Sequence, residues 1–268
     1  MVVLTVVSVK ALTPALPGSP TQMITLAARC INEARQGGIS RQTCSIVVPE
    51  PVETDPGDLD PWPGGIRQVS REAAPYIESL LKVAFPGSTV RSTTLDVESG
   101  VTQYVAEGDI AADDACLLAF ADTTNIDLVQ QLDDACGDRL LILLNPQFST
   151  VNDFTFFSRG KAKVLLGEGT IYDRFKYAFC LQEIGVRSED VQLVFNHGVG
   201  WAAYASVGAS YSGQNLVDAG EALALHDEPE WTKPTYAWLE KQLNMKVPDP
   251  IYIRKLKDAT TGKGPLSK

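Results

Sequence analysis

The sequence predicts an α/β fold: a mostly parallel central sheet with helices on both faces, extended by antiparallel strands in the C-terminal part. Three observations carry this. Two short runs, CLLAF at 116–120 and LLILL at 140–144, are apolar at every position. Strands of that kind are buried on both faces, which is the habit of parallel sheets. Segments with apolar residues at helical spacing alternate with them. After residue 148 the runs shorten and glycines intervene, a pattern that suits hairpins.

Each element follows from local chemistry. Ser19 precedes Pro20, a good first helical residue, and Met23, Ile24, Ala27, Ala28 and Ile31 recur at helical spacing until Gly37 and Gly38 end the run. This predicts a helix over 20–36. Ser45-Ile46-Val47-Val48, closed by Pro49, reads as a buried strand over 45–48. Residues 49–65 hold five prolines and three glycines, a long irregular loop. A helical pattern returns over 66–83, with Pro75 inside it, so a kink or two helices are expected. Residues 89–95 read as a strand. Thr123 or Thr124 can cap a helix that ends at Gly137, and Asn145-Pro146 stops the LLILL strand. Residues 163–166, 177–184 and 191–197 are strand candidates, and 201–207 suits a strand or a short helix. One further helix is expected over 235–243.

The chain has 268 residues and no internal repeat, with 44% hydrophobic and 21% charged residues, ample for a folded core. Its organisation reads as a flexible or remnant N-terminus at 1–15, one α/β domain at 16–225, and a C-terminal helix with a basic tail at 226–268. The N-terminus lacks the basic segment of a secretory signal. No apolar run reaches the length of a membrane span.

The net charge is −10, which repels phosphate backbones and argues against nucleic acid as a partner. Residues 96–138 hold eleven carboxylates and no Lys or Arg; adjacent acids of this kind usually form a solvated face. Residues 241–268 carry +5. That tail would fold back on the acidic face or make peripheral contact with an anionic membrane. Five scattered cysteines with no CxxC read as reduced core residues, and two histidines give no structural zinc site.

Catalytic motifs are weak. No nucleophile elbow and no phosphate-binding P-loop occurs. His197 reads as a turn residue and His226 as a solvated one. Gly198-Val199-Gly200-Trp201-Ala202-Ala203 matches a relaxed dinucleotide fingerprint, but it lies late in the chain. The turns after the two buried strands are where α/β folds place ligands, so Asp122, Thr123, Asn125, Asn145 and Gln147 are candidates for a nucleotide or small-anion site. Trp62, held between two prolines, suits an interface. With Pro63, Gly64, Gly65 and Arg67 it forms a candidate contact loop. No cofactor or metal is implied.

The stretches LPGSPTQMITLAARCINEARQGGISRQTCSIVVPEP, PWPGGIRQVSREAAPYIESLL, DDACLLAFADTTN, GDRLLILLNPQF and YAFCLQEIGV run in order through residues 16–200. In that order they resemble a family of plant, algal and cyanobacterial proteins of unknown function, which includes chloroplast factors of the Low Photosystem II Accumulation type. Arg41-Gln42, the Trp62–Gly65 tetrapeptide and Asn145-Pro146-Gln147 are its recurring marks. The resemblance implies a chloroplast location, in the stroma at the thylakoid surface, and a part in assembling or maintaining a photosynthetic complex. It supplies no active site. The expectation is therefore an auxiliary protein that acts by contact with such a complex or its assembly factors. The rival expectation is an enzyme or sensor that binds a nucleotide or small anion at the strand ends.

Overall fold

The computed structural model describes residues 13–50, 62–110, 114–167, 170–187, 189–206, 222–247, 249 and 253. Among them the chain forms an α/β structure around one nine-stranded mixed sheet. The elements in order are α1 (Pro20–Gln36), β1 (Arg41–Ser45), α2 (Gly65–Ala84), β2 (Thr89–Asp96), β3 (Val101–Glu107), β4 (Ala115–Ala119) and α3 (Ile126–Cys136). They continue with β5 (Leu140–Leu144), α4 (Phe156–Leu166), β6 (Lys176–Val186), β7 (Glu189–Asn196), β8 (Gly200–Ser206), β9 (Ala222–Ala224) and α5 (Tyr236–Lys246).

The sheet order is β2-β3-β4-β5-β1-β6-β7-β8-β9. Pairing is parallel only among β4, β5, β1 and β6. The flanks are antiparallel, β6 to β9 on one side and β2-β3-β4 on the other. The sheet is thus mixed rather than mostly parallel. The C-terminal hairpins follow expectation, whereas the β2-β3-β4 flank does not. β3 went unseen because its VTQYVAE sequence interleaves polar residues within an acidic stretch.

β4 and β5 are buried along their whole length. Their alternate residues enter two separate cores. Leu117, Ala119, Ile142 and Leu144 pack with buried residues of α1 and α2. Cys116, Leu118, Leu141 and Leu143 pack with α3 and α4. A third cluster joins β6, β7 and β8 to Leu239 and Leu243 of α5. An alternating strand would leave one of the first two cores half-built, which explains the fully apolar runs.

Four local expectations change. The first strand is Arg41–Ser45, not 45–48, and Ile46, Val47 and Val48 lie just beyond its end. It was hidden because Gln42 and Thr43 are polar yet fully buried. The Gln42 amide donates to the carbonyls of Ile31 and Ile39, and the Thr43 hydroxyl donates to that of Phe175. Residues 163–166 belong to α4, whose Ala162, Leu165 and Leu166 are buried at helical spacing. α2 is a single helix through the exposed Pro75, which sets aside the two-helix alternative. Asn125, not Thr123 or Thr124, is the N-cap residue of α3.

The acidic stretch is also not uniformly solvated. Asp133 is buried on α3. Its carboxylate receives Arg41 Nε at 2.5 Å and Arg174 Nη2 at 2.7 Å. Arg41 also donates to the carbonyls of Gly137 and Arg139, and Arg174 to that of Leu165. Removing the carboxylate would strand the Arg41 guanidinium, which is only 11% exposed. Asp133→Ala should therefore destabilise the fold by about 3–5 kcal/mol in a denaturant titration. A loss under about 1 kcal/mol would show the pair to be no more than a surface bridge.

Candidate functional site

The carboxyl edge of the parallel strands holds the candidate ligand residues together. β4 and β5 are each followed at once by a residue with left-handed backbone, Phe120 (φ 61) and Asn145 (φ 47). Such conformations are costly outside glycine and collect at functional or tightly constrained positions. The Phe120 N–H is bonded to Leu144 O, and the Gln147 N–H to Ala121 O, so the two strand ends are laced together.

Most of the expected ligand groups are engaged in this lacing. Asp122 Oδ1 accepts from the Thr124 N–H and hydroxyl. Asn125 is buried; its Oδ1 accepts from Asp122 N–H and its Nδ2 donates to Asp96. Asn145 Oδ1 accepts from Ile46 N–H at 2.8 Å and its Nδ2 donates to Ile46 O at 2.9 Å, extending the β1–β5 pairing by one side chain. Gln147 Nε2 donates to Asn145 O. Thr123 is half-buried in the same turn.

Beside Asn145 and Gln147 opens a cleft of about 480 Å³, bounded by Ser45, Asp153, Tyr172, Tyr177, Glu183 and Lys233. Tyr172 and Tyr177 stack with centroids 3.9 Å apart. Lys233 lies over the rings of Tyr177 and Trp201 and donates to Gln182. The backbone N–H groups of Ser149 and Thr150 hold the Asp153 carboxyl below its usual range. Glu183, still reached by solvent, is pushed up by desolvation and then by the charge of Asp190. Burial pushes both tyrosine hydroxyls up. Two carboxyl groups against one ammonium disfavour a phosphate here.

The contact loop is the entry to α2. Gly65 N–H donates to Trp62 O at 2.7 Å, and Gly65 has φ 62, a conformation natural to glycine. Gly64 N–H donates to the Gln68 side chain. Trp62 is half-buried, and Pro63, Gly64 and Gly65 are exposed. Arg67 pairs with Glu98 at 3.6 Å and borders a separate cleft between α2 and the β2-β3 hairpin.

His197 follows β7, its N–H bonded to Ala178 O. His226, expected in solvent, is a clamp: Nε2 accepts from Ala203 N–H, and Nδ1 bonds the Glu228 carbonyl. The glycine pair 198 and 200 turns the β7-β8 hairpin and opens a strand, so it lacks the helix a dinucleotide fingerprint requires. Among the described residues no cluster of three His, Cys, Asp or Glu side chains could hold a metal, and no helix is long and apolar enough to cross a membrane. The basic segment 254–268 lies outside the described residues.

A feature absent from the sequence reading is the outer face of α4. Phe156, Phe157 and Val164 are 84%, 95% and 84% exposed. Lys161 and Lys163 accompany them and the helix has no acid, whereas Arg159 is half-buried and donates to the Phe154 carbonyl. Phe156 and Phe157 touch edge to face, with centroids 5.9 Å apart. The apolar run at 163–166 predicts a strand, and a strand there carries no apolar outer face; the helix does.

A family model described as a domain of unknown function (DUF1995) matches residues 17–214, and the chain belongs to that family. No curated protein and no solved structure matches it.

Asn145→Ala removes two hydrogen bonds and puts alanine in the left-handed region. It should cost about 2–3 kcal/mol by denaturation. Asn145→Gly should recover the backbone part of that loss only. Equal losses would show that the side-chain bonds alone hold the strand ends.

Proposed function

We propose that this member of the DUF1995 family is an auxiliary protein that acts by contact, docking through the outer face of α4 onto an anionic membrane surface. The observation that carries the reading is the near-complete exposure of Phe156, Phe157 and Val164 beside Lys161 and Lys163. Lone exposed apolar residues are ordinary, but two adjacent phenylalanines and a valine on one short basic helix form a patch. The charge is complementary only locally: α4 is basic and acid-free, while the net charge of −10 repels anionic lipid from the rest of the surface and so favours approach by this face. Lys161 bridges to Asp127 and remains 45% exposed, so it can exchange partners at a surface.

The magnitudes suit reversible attachment. Each phenylalanine contributes about 1.5–3 kcal/mol when fully buried, and each lysine about 1 kcal/mol near anionic lipid. Orienting the protein costs at least about 4 kcal/mol. The remainder is small, a contact that forms and releases. The resemblance of the segments between residues 16 and 200 to chloroplast assembly factors supports placing that membrane in the chloroplast. There the protein would serve the assembly or maintenance of a photosynthetic complex, from the stromal side of the thylakoid.

The protein should float with phosphatidylglycerol-rich vesicles at low salt and release as salt rises. The double variant Phe156→Ser, Phe157→Ser should bind at least about tenfold more weakly, with unchanged stability, because both rings are already in water. Undiminished flotation of that variant would reject the α4 face. Affinity recovery from plastids that returned no photosynthetic membrane protein would reject the assembly role.

A second reading rests on the cleft beside Asn145, whose stacked tyrosines and position at the strand ends suit a small planar ligand. A specific nucleotide should then raise the melting temperature by several degrees at saturating concentration. A flat response across nucleotides with and without divalent ions would reject the nucleotide form of this reading.

A further inference from the structure

We infer that Cys116 and Cys136 form a peroxide-oxidisable dithiol that closes to a reversible disulfide, with Cys136 the attacking sulfur and Cys116 the resolving one. In sequence the two are unremarkable and twenty positions apart. In the fold, Cys116 on β4 and Cys136 at the last position of α3 line one small cleft and pack in the same core cluster.

Both thiols border a small cleft of about 80 Å³, together with Gln103, Asp114, Leu132 and Arg139. They are 7% and 6% exposed. The cleft has room for an oxidant scarcely larger than water and excludes a protein disulfide.

The surroundings assign the roles. The neighbouring Cys116 thiol, with the guanidiniums of Arg41 and Arg139, holds the Cys136 thiol below the usual thiol range, against desolvation and the charge of Asp133. The proximity of Cys136 and burial push Cys116 up. Gln103 Nε2 lies 3.5 Å from the Cys116 sulfur. A helix C-terminus would ordinarily disfavour a thiolate. Here Arg139 donates to the carbonyls of Ala135 and Cys136, and Arg41 to those of Asp133 and Gly137, so cations cover the negative helix end. The other three cysteines are buried apart from this site. Burial raises Cys30 and Cys180 to about 11.

The step balances with hydrogen peroxide as oxidant. The Cys136 thiolate attacks one peroxide oxygen, the O–O bond breaks, and the departing hydroxide takes a proton and leaves as water. The resulting sulfenic acid is attacked by the Cys116 sulfur, expelling its hydroxyl, which leaves as a second water with the Cys116 proton. Two thiols are oxidised to one disulfide and one peroxide is reduced to two waters. The new bond would tie β4 to the end of α3 around the turn that carries Asp122 and Asn125.

Treating the intact protein with near-stoichiometric hydrogen peroxide should lower its titratable thiols from five to three, and a reductant should restore them. Cleavage ahead of the aspartates separates the two cysteines and should yield one cross-linked pair joining Cys116 to Cys136. In Cys116→Ser the reaction should stop at a Cys136 sulfenic acid, which a dimedone adduct reveals. In the unmodified chain Cys136 should react at least about tenfold faster than Cys30 or Cys180. The inference is overturned if the cross-link does not form, or if Cys136 reacts no faster than the other buried thiols. The wild-type digest decides this even if the serine variant does not fold.

Discussion

A single carboxylate between two guanidiniums sets much of this architecture. Asp133 sits on α3, Arg41 opens β1, and Arg174 lies just before β6, so one ion cluster joins three segments far apart in sequence. Burial of a lone charge there would be costly, so Arg41 and Asp133 demand each other, and the more exposed Arg174 adds a second cation. Arg41 reaches further, to the carbonyls that end α3. Because α3 leads directly into β5, this also fixes where β5 lies beside β1, with Arg41 opposite Leu141.

From that junction the parallel strands run to a common edge, where the chain is held by side chains rather than by sheet bonds. Asn145 extends the β1–β5 pairing through its amide, and Asn125 ties the β4 turn to Asp96. These are the residues most readily taken for ligand donors. Their polar groups are largely satisfied within the protein. The open surface at this edge belongs instead to the neighbouring cleft of Tyr172, Tyr177 and Lys233.

Two features stand apart from the packing. The outer face of α4 leaves two aromatic rings in water on an otherwise acidic protein. The covered end of α3 brings two thiols together under two arginines. The first is an apolar cost that folding alone does not require. The second depends on the same Arg41 that anchors Asp133, so the ion cluster shapes both the stability of the fold and the chemistry of its cysteines.

The sequence by itself determined the elements whose signal is local. α1 begins at Pro20 and β5 spans Leu140–Leu144 as the residues dictate, because proline, glycine and uninterrupted apolar runs act through their immediate neighbours. The helix at the C-terminus and the hairpins after residue 176 were legible for the same reason. The tertiary structure decided what depended on distant partners. Gln42 and Thr43 can be polar in a central strand only because carbonyls from α1 and from Phe175 receive them. Asp133 can be buried only because Arg41 and Arg174 converge on it. The segment 163–166 is helical because Ala162, Leu165 and Leu166 meet a core that the segment does not encode. Of the candidate site, the strand-end residues were legible from topology. The cleft, the cysteine pair and the exposed phenylalanines were not, since each is a relation between surfaces brought together, or left apart, only by the folded chain.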